Sequence, residues 1–328
     1  MTSPDSFCAR QYKCTLFCKS FFLLPGSFTM PNSGILILNK PRGFTSHDAV
    51  AKIRKLYSTK QVGHTGTLDP MAEGVLCVLV GRAVKASEYA AEHGKSYKAG
   101  LRLGIVTDTG DVTGNILRRC TALPDAGTVI AAADSFCGDI MQIPPMYSAL
   151  KVGGEKLCDL ARRGVTVERQ ARKISVCKIA CTPSDPENGE YILDVSCSKG
   201  TYIRTLCEDI GEKLGCGATM SSLVRTGSGG FSLSDAHTLE ELEAMTPEER
   251  YGILRETEEL FSGCPVVRLP EFFARLALCG NEIYLKKIGL DLPVGQRVRL
   301  YDSGFFSLGE VREYPGGAAI KPIKKFRE

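Results

Sequence analysis

The chain has 328 residues, enough for one large domain with a small one or for two medium domains. Its composition, 43% hydrophobic and 24% charged, is ordinary for a globular protein and argues against intrinsic disorder. With no run near the roughly 18 apolar residues that a bilayer span requires, no membrane segment is expected. The formal charge of +4 conceals a segregation. Residues 235–259 carry nine acids against Arg250 and Arg255, a net of −7, so the rest of the chain carries +11. A basic body with one acidic helical stretch suits a polyanionic partner such as nucleic acid. The 14 cysteines are scattered without regular spacing and form no C-x-x-C pair, the nearest being Cys14/Cys18 and Cys177/Cys181. They are therefore read as free thiols of a protein in the reducing cytoplasm rather than as a disulfide framework. The four histidines are not at metal-ligand spacing, so no metal site is expected.

Residues 1–29 contain a short apolar run at Phe21–Leu24 but no signal-peptide pattern. Met30 is expected to be the true start, with residues 1–29 a disordered extension or an upstream misread. Gly34–Asn39 (GILILN) predicts a short buried strand, closed by the turn Lys40–Gly43. Ser46 is placed as the N-cap of a helix running to about Leu56, with Val50, Ile53 and Leu56 on one face. Gly63–Pro70 is a glycine-punctuated loop, and Val75–Val80 (VLCVLV) a central strand buried on both faces. Ser96–Leu103 alternates as a strand, Asp108–Gly114 is a turn, and 125–137 is helical. Residues 151–173 are basic and glycine-bearing, and are read as a helix and loop projecting over a binding surface. Tyr191–Cys197 is a strand and Tyr202–Leu214 a helix. Residues 239–260 form an acidic helix pair broken at Pro247. From Cys264 the pattern changes to short strands with turns, a separate small β-rich module.

Four constellations carry chemistry. In Gly63-His64-Thr65-Gly66-Thr67-Leu68-Asp69-Pro70, two glycines allow close backbone approach, while the histidine and threonines offer hydrogen bonds to phosphate or base edges. Asp69 precedes a proline, which biases it to extended geometry at a fixed loop end, a placement suited to nucleophilic or general-base work. Taken alone, the same dipeptide reads more readily as an Asp-Pro turn. In Lys199–Thr205 a helix start capped by 199–201 would put Tyr202 and Arg204 in its first turn. An arginine there can pair with an aspartate that would otherwise be costly to bury. Gln142–Lys151 holds two prolines that fix an extended loop leading into the basic stretch. In Lys95-Ser96-Tyr97-Lys98 an aromatic flanked by cations can stack on a base while the lysines meet phosphates. The Asp108-Thr109-Gly110 triplet, superficially that of an aspartic protease, is taken as a turn.

Together these segments resemble the TruB family of tRNA pseudouridine synthases, of the bacterial type. The resemblance rests on LNKP at 38–41, GHTGTLDP at 63–70, KSYKAGLRLGIVTDTGD at 95–111 and QIPPMYSALKVGGEKL at 142–157. KGTYIRTL at 199–206 and SSLVRTGSGGF at 221–231 complete an ordered set covering roughly 33–232. It implies the α/β (α+β) pseudouridine synthase fold, a mixed central sheet with an RNA-binding cleft, over residues 30–262. Within it, the basic 145–173 region would grip RNA, and 263–328 would form a PUA-like RNA-binding module.

Residue by residue, the resemblance makes Asp69 the catalytic aspartate, Tyr97 the tyrosine that packs on the flipped uracil, and Arg204 the partner of the catalytic carboxylate. Substrate contacts would come from His64, Tyr202, the pocket wall Leu223 and the basic Lys151, Arg162 and Arg163. Lys40, with Pro41, would buttress the active-site loop. The implied reaction isomerises uridine 55 in the tRNA T-loop: the N1–C1′ bond breaks, the uracil turns, and C5 joins C1′. Attack on C1′, proton abstraction to a glycal and attack on C6 all remain open for the aspartate. The reaction asks for no cofactor, and a cytoplasmic monomer acting on the tRNA T-arm without an obligate protein partner is expected. The rivals are a non-catalytic RNA-binding protein, for which the retained Asp69, Tyr97 and Arg204 would be unneeded, and a nucleoside hydrolase that cleaves without rejoining.

Overall fold

The computed structural model describes residues 33–90 and 94–327, so the reading of residues 1–29 lies outside the described residues. In chain order the first elements are β1 (Gly34–Lys40), α1 (Ser46–Leu56), β2 (Val62–His64), β3 (Glu73–Val80) and α2 (Ser87–Ala90). Next come β4 (Lys95–Leu103), β5 (Ile105–Thr107), β6 (Ile116–Arg119), α3 (Ala126–Asp134) and β7 (Gly138–Gln142). A small hairpin, β8 (Lys151–Val152) and β9 (Glu155–Lys156), precedes α4 (Leu157–Arg162). The sheet resumes with β10 (Arg172–Asp185) and β11 (Glu190–Cys197), then α5 (Ile203–Lys213), β12 (Ala218–Ser228) and β13 (Phe231–Ser232). Helices α6 (Leu239–Ala244) and α7 (Pro247–Gly252) follow.

Among the described residues the principal sheet has nine strands, ordered β1-β3-β12-β4-β11-β10-β7, with β2 on β3 and β13 on β12. It is mixed: β3 and β12 run parallel, and the other pairs along the path are antiparallel. The runs GILILN and VLCVLV form strands buried on both sides, as their unbroken hydrophobicity predicts. On one face Ile35, Ile37, Val75, Cys77 and Leu79 pack with Phe231, Leu260 and Phe261. On the other, Leu36, Leu38, Leu76, Val78 and Val80 pack under Ala49, Val50 and Ile53 of α1. Farther along the sheet, α3 and α5 cover β4, β10, β11 and β12 in a third cluster. The outer edge of β1 is closed by backbone bonds: Ile35 exchanges two with Arg255, and His237 donates to Ile37 and accepts from Asn39.

The close parallel approach of β12 to β3 depends on Gly74, whose φ of +107° and lack of a side chain leave room for the Arg225 carbonyl. A Cβ at Gly74 would lie 2.3 Å from that oxygen, so no other residue fits without moving the strands.

The last segment holds β14 (Val266–Arg268), α8 (Glu271–Leu278), β15 (Ile283–Tyr284), β16 (Arg297–Tyr301), β17 (Phe305–Arg312) and β18 (Ala319–Lys325). Its strands form a separate five-stranded sheet over their own core, which includes Val267, Ala277, Val298, Leu300, Phe306 and Ile320. The segment is also fastened to the main body: Leu308 is buried with Leu260 and Phe261, and Phe305 and Phe326 pack against that cluster.

Several expectations change. Thr45, not Ser46, is the N-cap of α1, in a capping box with Asp48. Tyr202 is the N-cap position of α5 rather than a first-turn residue, while Arg204 does lie in the first turn. The 151–173 stretch is a hairpin, a six-residue helix and a loop, and its last two cations, Arg172 and Lys173, already belong to β10. The acidic pair breaks at Met245, with Pro247 at the start of α7, where its missing N–H costs nothing. Strands β7, β10 and β12 and helix α8 were not anticipated.

Candidate active site

Asp69 sits at the end of a loop held from three sides. The hydroxyl of Ser46, the first residue of α1, accepts from the Leu68 amide at 2.8 Å and donates to the Leu68 carbonyl at 3.1 Å. The Gly43 amide donates to the Pro70 carbonyl at 2.7 Å, tying the 40–44 turn to the loop. From the sheet, Arg225 donates to the carbonyls of Val75 at 2.6 Å, Thr67 at 3.2 Å and Gly66 at 3.2 Å. The carboxylate is thus presented by a loop whose backbone is fixed on both flanks.

Arg204 meets that carboxylate in a two-point pair, Nε to Oδ2 at 2.9 Å and Nη2 to Oδ1 at 3.2 Å. The arginine side chain is 6% exposed and that of Asp69 33%, so the cation is the inner member and the carboxylate reaches solvent. Arg204 also donates to the carbonyls of Thr109 at 3.1 Å and Tyr147 at 2.8 Å. The Asp108–Gly114 turn therefore serves as an arginine support, and the proline-fixed 142–147 segment supplies the other carbonyl. At the mouth of α5, Gln142 brackets Tyr202: its amide nitrogen donates to the Tyr202 carbonyl at 3.1 Å, and its oxygen accepts from the Tyr202 amide at 2.8 Å.

The apolar wall beside Asp69 is made by the sheet. Tyr97 on β4 and Arg225 on β12 are register partners, as are Ala99 and Leu223, so Tyr97, Leu223 and Arg225 share one face. Leu68, Met71 and Ala72, which flank Asp69, pack in one cluster with Tyr97, Leu223 and Ile203. Burial pushes the Tyr97 hydroxyl pKa up, against the pull of Arg225, so it stays protonated at neutral pH. Burial likewise raises that of Tyr202. Lys40 is fully buried and donates to the carbonyls of Pro41 at 2.8 Å and Phe44 at 2.7 Å, bracing the turn that meets Pro70. Burial, and then the nearby Arg225 charge, push its pKa down to about 8. His64 ends β2 with its ring edge-on to His47 at 6.2 Å. Its Nδ1 is buried without a partner, and burial, with His47 and Arg225 beside it, lowers its pKa, which favours the neutral ring.

The structure therefore gathers Asp69, Tyr97, Arg204, Tyr202, Leu223 and Lys40 around one loop. Lys151, Arg162 and Arg163 stand on the exposed insertion instead. Arg162 pairs with Asp159 at 3.1 Å and Arg163 with Glu155, so each has a local acid. The insertion is anchored at its base, where Leu157 is buried and Arg169 donates to the Pro144 carbonyl at 3.0 Å. Of the two lysines flanking Tyr97, only Lys95 shares its face, since Lys98 alternates to the other side and is exposed. Sequence reasoning missed Arg225, Gln142 and the Leu68-binding role of Ser46. Arg225 had one signal, a charged residue two places after Leu223 and hence on the same strand face. No group of metal-ligating side chains is present among the described residues, and no helix there is long and apolar enough to cross a membrane.

A mixed sheet with an arginine-held carboxylate beside a tyrosine and leucine wall fits the pseudouridine synthase resemblance of the sequence. Comparison with known proteins narrows this. The profile of the TruB family pseudouridylate synthase N-terminal domain matches residues 54–203, and that of the tRNA pseudouridylate synthase B C-terminal domain matches 204–260. A tRNA pseudouridine synthase B of Burkholderia mallei (strain NCTC 10247) is 43% identical over 288 residues, covering 86% of this chain and 94% of the relative. That of Alkaliphilus oremlandii (strain OhILAs) is 44% identical over 283 residues, covering 85% and 93%. A chain from a Cbf5-Nop10-Gar1 complex superimposes with a TM-score of 0.67 at 25% identity, over 90% of this chain and 85% of that one. The chain belongs to the TruB family of pseudouridine synthases.

Proposed function

We propose that the chain isomerises uridine 55 in the T-loop of tRNA to pseudouridine, with Asp69 as the nucleophile. The observation that carries this is the two-point Asp69–Arg204 pair, set at the rim of the wall made by Tyr97 and Leu223. A uridine can react there only after leaving its stack, and an aromatic and aliphatic slot replaces the stacking it gives up. Tyr97 packs on the flipped uracil. Asp69, the solvent-reaching member of its ion pair, attacks C1′ or C6, and the bond it forms breaks again before the product is released. The N1–C1′ bond breaks with its electrons on the uracil, the base turns, and the C5–C1′ bond forms. The C5 proton is released and N1 gains one, so no redox partner, metal or group donor is consumed.

The names of the 43–44% identical relatives support tRNA as the substrate. His64, with its neutral ring, contacts the displaced bases, and Lys151, Arg162 and Arg163 on the 145–173 insertion hold RNA phosphates. Residues 30–262 act as the catalytic domain and 263–328 as a PUA-like module contacting the tRNA. The enzyme works as a cytoplasmic monomer without an obligate partner protein. The test is tritium release from a tRNA transcript labelled at uracil C5, since bond formation there must expel that hydrogen. Release by the wild type and none by Asp69→Asn is expected. Tight tRNA binding with no release from the wild type would overturn the proposal in favour of a binding protein, and free uracil would mark a hydrolase.

A further inference from the structure

Lys95 begins β4 two residues before Tyr97 and on the same face. Its side chain lies against the Asp69 loop. A Cβ built on Gly66 would meet Lys95 Cε at 3.2 Å and Nζ at 3.7 Å, so the glycine leaves the space the lysine fills. The Gly66 carbonyl is already taken by Arg225, and Lys95 Nζ donates no hydrogen bond among the described residues. Burial acts on its charge most strongly and the Arg225 cation next, both disfavouring it; the thiols of Cys197 and Cys77 follow, and the Lys199 cation comes last. No carboxylate figures among these influences. A half-buried ammonium beside like charge and without a counter-ion is costly in the free protein. The position is one that an incoming anion would stabilise.

We propose that Lys95 is a phosphate-binding residue that holds the backbone of the flipped nucleotide. Two residues along a strand span about 7 Å, which sets the ammonium beyond the Tyr97 ring, on the backbone side of a base packed there. Gly66 keeps the loop backbone clear of it. Arg225 is committed to three carbonyls and so leaves the anion to Lys95. The inference rests on the reading of the site as one for RNA, and deepens it by naming the group that anchors the reacting nucleotide.

The experiment measures affinity for a T-arm stem-loop RNA by fluorescence anisotropy from 50 to 300 mM NaCl, alongside thermal melting of the RNA-free enzyme. Lys95→Met should weaken binding by about tenfold and lower the salt-dependence slope by about one, the loss of a single phosphate contact. The same change should leave the melting temperature of the free enzyme unchanged or raised, because it removes an uncompensated charge. Lys95→Arg should keep the wild-type slope, and serves as the measured variant should Lys95→Met fail to fold. Wild-type slope and affinity in Lys95→Met, or a Lys95→Arg slope reduced by one, would overturn the proposal. A wild type that binds the stem-loop but releases no C5 tritium would refute the catalytic reading while leaving the slopes to decide on Lys95.

Discussion

Arg204 holds Asp69 through two nitrogens, yet its own position does not depend on that pair, because it also donates to the carbonyls of Thr109 and Tyr147. An Asp69→Asn enzyme should therefore keep its fold and its basic RNA contacts while losing the nucleophile. Turnover should fall by at least about 10³-fold, the scale set by losing a reacting group, with RNA affinity within about threefold. C5 tritium release and anisotropy on the same preparation check this. Substantial residual release would remove Asp69 from the role.

The reverse substitution has a different consequence. Arg204→Ala leaves the Asp69 carboxylate without its partner and two carbonyls without their donor. The carboxylate left behind reaches solvent, so the cost comes mainly from the two carbonyls that lose their donor, about 1–3 kcal/mol. Arg204→Ala should thus lose both activity and stability, read as a lowered urea midpoint beside Asp69→Asn. Equal midpoints for the two variants would show that the pair does not hold the loop.

Ser46 separates helix capping from loop placement. Thr45 does the capping, so Thr45→Ala should cost about 1 kcal/mol of stability and little activity. Ser46→Ala instead releases both the amide and the carbonyl of Leu68, one residue before Asp69, inside the protein. It should cost about 1–3 kcal/mol and depress the single-turnover rate of tritium release more than Thr45→Ala does. Equal rates in the two variants would count against the loop as the element that aims Asp69.

The legible and illegible parts of this chain divide along physical lines. GILILN and VLCVLV could be read because both faces of β1 and β3 are buried, leaving an unbroken apolar run. Asp69, Tyr97, Arg204 and Leu223 lie in motifs whose order along the chain carried the family resemblance, and the structure brings them to one loop. Strand β10 was hidden because it starts inside a basic stretch and a bulge between Val176 and Lys178 breaks its alternation. Helix α8 is short and apolar along nearly its whole length, a run that reads as easily as a strand. Arg225 and Gln142 escaped notice because their partners are backbone atoms far along the chain: Gly66, Thr67 and Val75 for one, Tyr202 for the other. A backbone acceptor leaves no mark in the residue letters.

The exposed insertion makes its own test. Arg162 and Arg163 are each paired locally, so their phosphate contacts must compete with Asp159 and Glu155. Neutralising both arginines to glutamine should weaken tRNA binding and lower the salt slope by up to about two. Changing Asp159→Asn and Glu155→Gln together should do the opposite, tightening binding at 50–100 mM NaCl by freeing both cations. If neither pair of changes moves the slope, the insertion does not clamp phosphates.

Asp209, on α5 behind the site, gives the pH dependence. Burial pushes its carboxyl pKa up to about 6, and it has no hydrogen-bond partner among the described residues. In the unfolded chain it would titrate near its ordinary value of 3.8, so above pH 6 it is charged in both states and folding bears the full desolvation cost. As pH falls from 6 towards 4 the folded state takes up the proton first, and this group's penalty disappears. Asp209→Asn should accordingly raise the melting temperature at pH 7.5 by about 1–2 °C, roughly 1 kcal/mol in a chain of this size. The gain should shrink through pH 6–4 and vanish below, as scanning calorimetry across that range would record. A gain independent of pH would mean that the substitution acts through packing and not through the carboxyl charge.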